Sequence, residues 1–238
     1  PFKLTMTQKK CIDEIMADMI ANKRMVRLVH GDVGSGKTVV AFLSMIAATA
    51  AGHQATFMAP TEILAQQHYE TINTWCQPLG INCHLLTGSI KGKTRKATLN
   101  SISTGQANII IGTHAIIQQD VKFENLSLAI IDEQHKFGVG QRLALSQKGI
   151  HVDLLVLSAT PIPRTLLMSA YGDMDVSRLT SRPKNRGKIR TAVKPLSQIS
   201  SVIDAISREI SSGGKVYWVC PLIEESNFME LSAATARH

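Results

Sequence analysis

A chain of 238 residues with a 44% hydrophobic fraction can build one large domain, or one and a half ordinary ones, around a sizeable core. No apolar run is long enough to span a membrane, and Cys11, Cys76, Cys83 and Cys220 form no C-x-x-C pair. A membrane protein, a disulfide scaffold and a zinc knot are therefore set aside in favour of reduced thiols in a cytoplasmic protein. The net charge of +8 is uneven, with seven bases and no acid between Val176 and Lys194.

The first residues, Pro1 to Thr5, read as domain sequence, not as a leader, and the lack of an initiator methionine suggests a piece of a longer protein. Short β-branched runs then alternate with helical spacing. Strands are expected at Val26–Val29, Ala55–Met58, Asn82–Leu86, Asn108–Ile111, Leu128–Ile131 and Leu154–Leu157. Helices are expected near Thr38–Ala50, Glu62–Trp75, Lys93–Ser103 and Gln141–Gln147. This alternation predicts an α/β fold, a parallel sheet with helices on both faces, whose ligands bind at the carboxyl ends of the strands. The pattern breaks at Thr180–Gly187, a basic, turn-rich linker. A second α/β unit follows, with strands at Ile189–Val193 and Val216–Cys220 around a helix at Ile199–Ser211.

Gly31-Asp32-Val33-Gly34-Ser35-Gly36-Lys37-Thr38 matches the phosphate-loop pattern G-x-x-x-x-G-K-[ST], between a strand and a helix. Glycines let the backbone amides of the loop, including those at Gly34, Ser35 and Gly36, curl toward phosphate oxygens at a helix N-terminus. Lys37 would reach the β- and γ-phosphates and the Thr38 hydroxyl would ligate Mg²⁺. The strand Leu128–Ile131 ends in Asp132 and Glu133. Behind a phosphate loop, Asp132 suits Mg²⁺, through water, and Glu133 suits polarisation of the attacking water. ATP and Mg²⁺ are thus the expected cofactors. No histidine has metal-ligand spacing. The basic stretches, Lys91 to Lys96 included, attract phosphate backbones, although a solvated linker explains Val176–Lys194 equally well.

Asp132-Glu133-Gln134-His135 after a strand resembles the second motif of superfamily-two helicases and translocases, and further motifs follow in that family's order. Leu4-Thr5 with Gln8 resembles the adenine-reading element. Ala59–Gln67, Thr87-Gly88-Ser89 and Ile111–Ala115 resemble DNA-contact motifs, and Ser158-Ala159-Thr160-Pro161 resembles the element that couples hydrolysis to movement. The resemblance implies a RecA-like domain over 1–180, a basic linker at 181–188 and the incomplete start of a second motor domain at 189–238. It also implies phosphate contacts from Thr61, Gly88 and Thr113, and coupling roles for Gln134, His135, Ser158 and Thr160.

The wording at Asp132–Val139 and Cys220–Ser226 is similar to the RecG family of branch-migrating DNA helicases, with the transcription-repair coupling factor motor as rival. That resemblance implies an ATP-dependent, monomeric enzyme on forks and Holliday junctions, serving recombination and repair. Residues 1–238 alone would bind Mg·ATP and turn it over poorly, because the arginines that stabilise γ-phosphate charge would lie elsewhere. A nucleotide-gated DNA-binding module without turnover is the other class of reading.

Overall fold

The computed structural model describes residues 3–132, 139–160, 174–181 and 191–219. By its internal contacts the chain divides into two units, Pro1–Arg186 and Gly187–His238.

The first unit opens with α1 (Met6–Ile20) and continues through β1 (Val26–Gly31), α2 (Lys37–Ala50), β2 (Gln54–Met58), α3 (Glu62–Cys76) and β3 (Cys83–Leu86). It goes on with α4 (Gly92–Ser103), β4 (Ile109–Gly112), β5 (Leu126–Asp132), α5 (Val139–Ser146), β6 (Asp153–Ser158) and β7 (Asp175–Leu179). The strands form one parallel sheet in the order β3-β4-β2-β5-β6-β1-β7. All six strands expected in this unit are present, with ends shifted by one or two residues.

Covering both faces with helices explains why the central strands are apolar along their length. Along β5, Leu128 and Ile130 join Ile15, Val40, Met45, Phe57 and Ile72 beneath α1, α2 and α3. Ala129 and Ile131 point the other way, into a second core with Met58, Ile102, Ile110 and Leu145 against α4 and α5. Among the described residues no helix is long and apolar enough to cross a membrane.

Two elements were not expected from the sequence. The helix α1 starts at a capping box: Gln8 N donates to Thr5 Oγ1 at 3.3 Å and Thr5 N donates to Gln8 Oε1 at 2.8 Å. Its moderately apolar face buries Cys11 and Ile15. The edge strand β7 buries only Ser177 and Leu179, too short an alternation to stand out. Buried Arg27 on β1 fastens both elements, donating to Asp18 at 2.7 Å and to Ser177 at 2.8 Å, while Ser177 also bonds Glu14. A buried guanidinium is tolerable only when paired in this manner.

The second unit contains α6 (Ile199–Ser211), as the spacing predicts, ending at Gly213 with φ +87°. The expected flanking strands are not found: residues 191–193 and 216–219 belong to no strand, and the remainder of both segments lies outside the described residues. A strand exists through bonds to a neighbour, and the described residues of this unit supply none. No residue of α6 is buried.

Candidate nucleotide and nucleic-acid site

The register brings the sequence motifs to one end of the sheet. Asp132 lies beside Leu157, and Ser158 lies beside His30, the residue before the phosphate loop. With β6 between them, the ends of β1 and β5 stand two strand spacings, about 10 Å, apart. Nucleotide-type motifs therefore occupy the β5-β6-β1 half of the carboxyl edge, and DNA-type motifs occupy the β3-β4-β2 half.

Gly34 (φ +74°) and Gly36 (φ +90°) hold the left-handed conformation that curls the loop. Gly36 is the N-cap of α2 and offers no capping side chain, so the helix N-terminus meets the loop with its dipole uncapped. The Lys37 ammonium lies along the loop, donating to Gly31 O at 2.7 Å and Asp32 O at 3.2 Å. Thr38 is half-buried in the first turn of α2, and the Ser35 hydroxyl is buried without a hydrogen-bond partner. A donor-rich loop with an ammonium, a hydroxyl and the Asp132 carboxylate two strands away suits a polyphosphate and a divalent cation.

Gln8 is buried, and its Nε2 donates to Ser35 O at 2.9 Å. One amide N–H and one oxygen lone pair remain after its bonds to Ser35 and Thr5, the pair an adenine edge requires. A Cβ on Gly36 would come within 2.2 Å of that Nε2. The loop and α1 are thus built around each other.

Ser158 and Thr160 turn toward one another instead of bridging outward. Ser158 Oγ donates to Thr160 O at 3.1 Å and accepts from Thr160 N at 3.2 Å. A hydroxyl followed two residues later by a free amide closes such a turn locally. Glu133, Gln134 and His135 lie outside the described residues, as do residues 182–188 of the linker.

On the other half, Thr61 caps α3 by accepting from Leu64 N at 3.3 Å. Glu62 Oε1 accepts from Ser89 N at 3.1 Å. The Ser89 hydroxyl, helped by the Ser89 and Gly88 amides, holds the Glu62 carboxyl below its ordinary pKa. The amides at Gly88 and Ser89 therefore already cradle an anion. Thr113, expected as a phosphate contact, is enclosed: it is 1% exposed and its hydroxyl has no hydrogen-bond partner. The turn 114–117 follows it at once, with Ile116 N donating to Thr113 O at 3.0 Å, and the hydroxyl stays inside.

Three contributors were given no role of their own by the sequence reading, although Glu62 and Gly112 lie within its motifs. Gly112 lies so close to β3 that a Cβ would meet Leu86 O at 1.9 Å. Glu62 grips the Gly88–Ser89 turn. His68 bonds Asp132 at 2.9 Å. The available signal for His68 was its place seven residues after Thr61, which puts both on one helix face.

A phosphate loop and an acidic strand end on a seven-stranded parallel sheet, with a second set of motifs beside them, define the RecA-like core of a helicase. The chain belongs to the DEAD/DEAH box helicase family, whose profile matches residues 5–169. Within it, the chain is 49% identical to the ATP-dependent DNA helicase RecG of Streptococcus pneumoniae over 99% of its own length and 35% of the relative's. It is 48% identical to RecG of Escherichia coli K12 over the same shares. A solved structure of RecG bound to a three-way DNA junction superposes with a TM-score of 0.79 at 44% identity, covering 90% of this chain and 29% of that one. The likeness to RecG read from the sequence is thereby borne out, for a chain spanning about a third of those relatives' length.

Proposed function

We propose that this chain is the ATP-binding part of a DNA translocase that acts on branched DNA, stalled forks and Holliday junctions, in recombination and repair. The observation that carries the reading is the division of one sheet edge into a phosphate-binding half and an anion-cradling half. The similarity to RecG, one structure of which holds a three-way junction, supports the choice of substrate. In this reading residues 1–180 form the first motor domain, 181–188 a basic linker and 189–238 the start of the second. The protein works as a monomer in the bacterial cytoplasm.

The loop amides from Gly31 to Gly36 hold the triphosphate, and Lys37 leaves its carbonyl partners for the β- and γ-phosphates. Gln8 offers its remaining N–H and lone pair to adenine. Thr38 and Asp132, the latter through water, would hold Mg²⁺, which would supply neutralisation of charge on the transferring phosphoryl group. Glu133 polarises the attacking water, and Gln134, His135, Ser158 and Thr160 carry the hydrolytic state onward. Thr61 and Gly88 grip DNA phosphates through helix-start and turn amides, contacts indifferent to base sequence. Thr113 supports that surface from within.

The test is ATP turnover by the complete gene product on a branched fork and on linear duplex of equal length. Strong preference for the fork is expected. Equal stimulation would refute the branched-DNA assignment and favour a general duplex translocase of the coupling-factor type.

A further inference from the structure

None of the roles above uses His68, yet its position is closely specified. Its Nε2 lies 2.9 Å from Asp132 Oδ2, and the two side chains are only 16% and 13% exposed. The ring also packs on fully buried Phe57, with centroids 4.6 Å apart. The imidazole is thus wedged between the core and a carboxylate at the end of β5.

The helix that carries His68 matters as much as the contact. Its N-terminus is Thr61 and Glu62, and the Glu62 carboxylate holds the Ser89 amide. Seven residues of α-helix separate Thr61 from His68, about 10 Å along one face. One rigid element therefore links the anion-cradling turn to Asp132, across the strands β2 and β5 that pair directly.

We infer that His68 is a positioning residue that couples DNA binding to the metal site. Its N–H fixes Asp132 Oδ2 and so orients the carboxylate that would help hold the ion. A DNA phosphate that displaces Glu62 from the Gly88–Ser89 amides shifts the start of α3, and His68 carries the shift to Asp132. This inference rests on the motor reading, and donors that orient a ligating carboxylate are commonly worth 10–100-fold in metal affinity.

The experiment uses the complete gene product and Mn²⁺ as probe. Mn²⁺ binding is followed by electron paramagnetic resonance with a non-hydrolysable ATP analogue, with and without linear duplex. His68→Ala is expected to weaken Mn²⁺ about 10–100-fold, with analogue binding in chelator unchanged. The factor by which duplex tightens the Mn²⁺ complex falls toward one. By linkage, the complex's effect on duplex affinity falls equally. His68→Gln, whose side-chain amide restores an N–H donor, recovers most of both. An alanine variant with wild-type Mn²⁺ affinity and DNA linkage overturns the inference, as does a glutamine variant no better than alanine. A wild-type protein that binds neither the analogue nor DNA would instead overturn the motor reading.

Discussion

Replacing Gly36 with alanine perturbs the phosphate loop in two separable ways. The backbone at φ +90° is left-handed, which costs a residue with a Cβ about 1–2 kcal/mol. The new methyl would also stand 2.2 Å from Gln8 Nε2 and force that buried amide aside. Gln8 then loses its 2.9 Å bond to Ser35 O and its 2.8 Å bond from Thr5 N. Unsatisfied buried groups cost about 1–3 kcal/mol. The expected loss is therefore about 2–5 kcal/mol, a large share of a typical domain's stability. In a Gln8→Ala background the obstacle is gone, and the same substitution should cost only the backbone part, about 1–2 kcal/mol. Urea denaturation of the four proteins in the cycle, followed by circular dichroism, measures the difference as a coupling energy. An equal cost of Gly36→Ala in both backgrounds, within about 0.5 kcal/mol, would show that loop and helix are not built around each other.

Lys37→Ala removes a charge-assisted bond to phosphate, so ATP-analogue affinity by fluorescence should fall about 10–100-fold; an unchanged affinity would remove Lys37 from the site. Glu133→Gln in the complete gene product should bind ATP and leave it unhydrolysed in single-turnover assays, whereas wild-type turnover would place the water-activating group elsewhere. Gly112→Ala sets a methyl against the Leu86 carbonyl of the neighbouring strand, where nothing flexible can yield. It should cost at least about 1–3 kcal/mol, and hydrogen exchange should quicken at the β3–β4 edge; unaltered exchange there would contradict the packing. Burial pushes the Asp153 carboxyl up, opposed by the Met25 N–H bond of 2.7 Å. The folded state thus keeps its proton to higher pH than the unfolded chain, and stability falls as pH rises from the ordinary carboxylate range through the raised value. Asp153→Asn keeps the acceptor without the charge, so its melting temperature relative to wild type should be higher near neutral pH than in acid; a pH-independent difference would refute this.

Much of the site was legible in residue order because its chemistry is local. A phosphate loop needs its glycines, lysine and hydroxyl within eight positions, and Gly31–Thr38 supplies them. Asp132 was likewise readable, since an acid ending an apolar strand stands at a ligand-binding edge. Local periodicity also located the six strands and the helices from α2 onward.

What periodicity could not convey was anything settled by contacts distant in the chain. The helix α1 and the strand β7 are held by Arg27 reaching Asp18 on one side and Ser177 on the other, and neither partner is visible from its own segment. Of the strands expected at Ile189–Val193 and Val216–Cys220, the described parts, 191–193 and 216–219, find no neighbour to pair with among the described residues. Thr113 looked like a surface hydroxyl and proved to be enclosed. His68 and Glu62 had no individual role in the sequence, and folding set one against Asp132 and the other against Ser89. The sequence by itself determined which groups carry the phosphate-loop pattern and that they lie at strand ends, because those requirements are met within a few residues. Only the tertiary structure decided which of those ends are neighbours and which side chain joins them, because strand order and burial depend on packing among residues far apart in the chain.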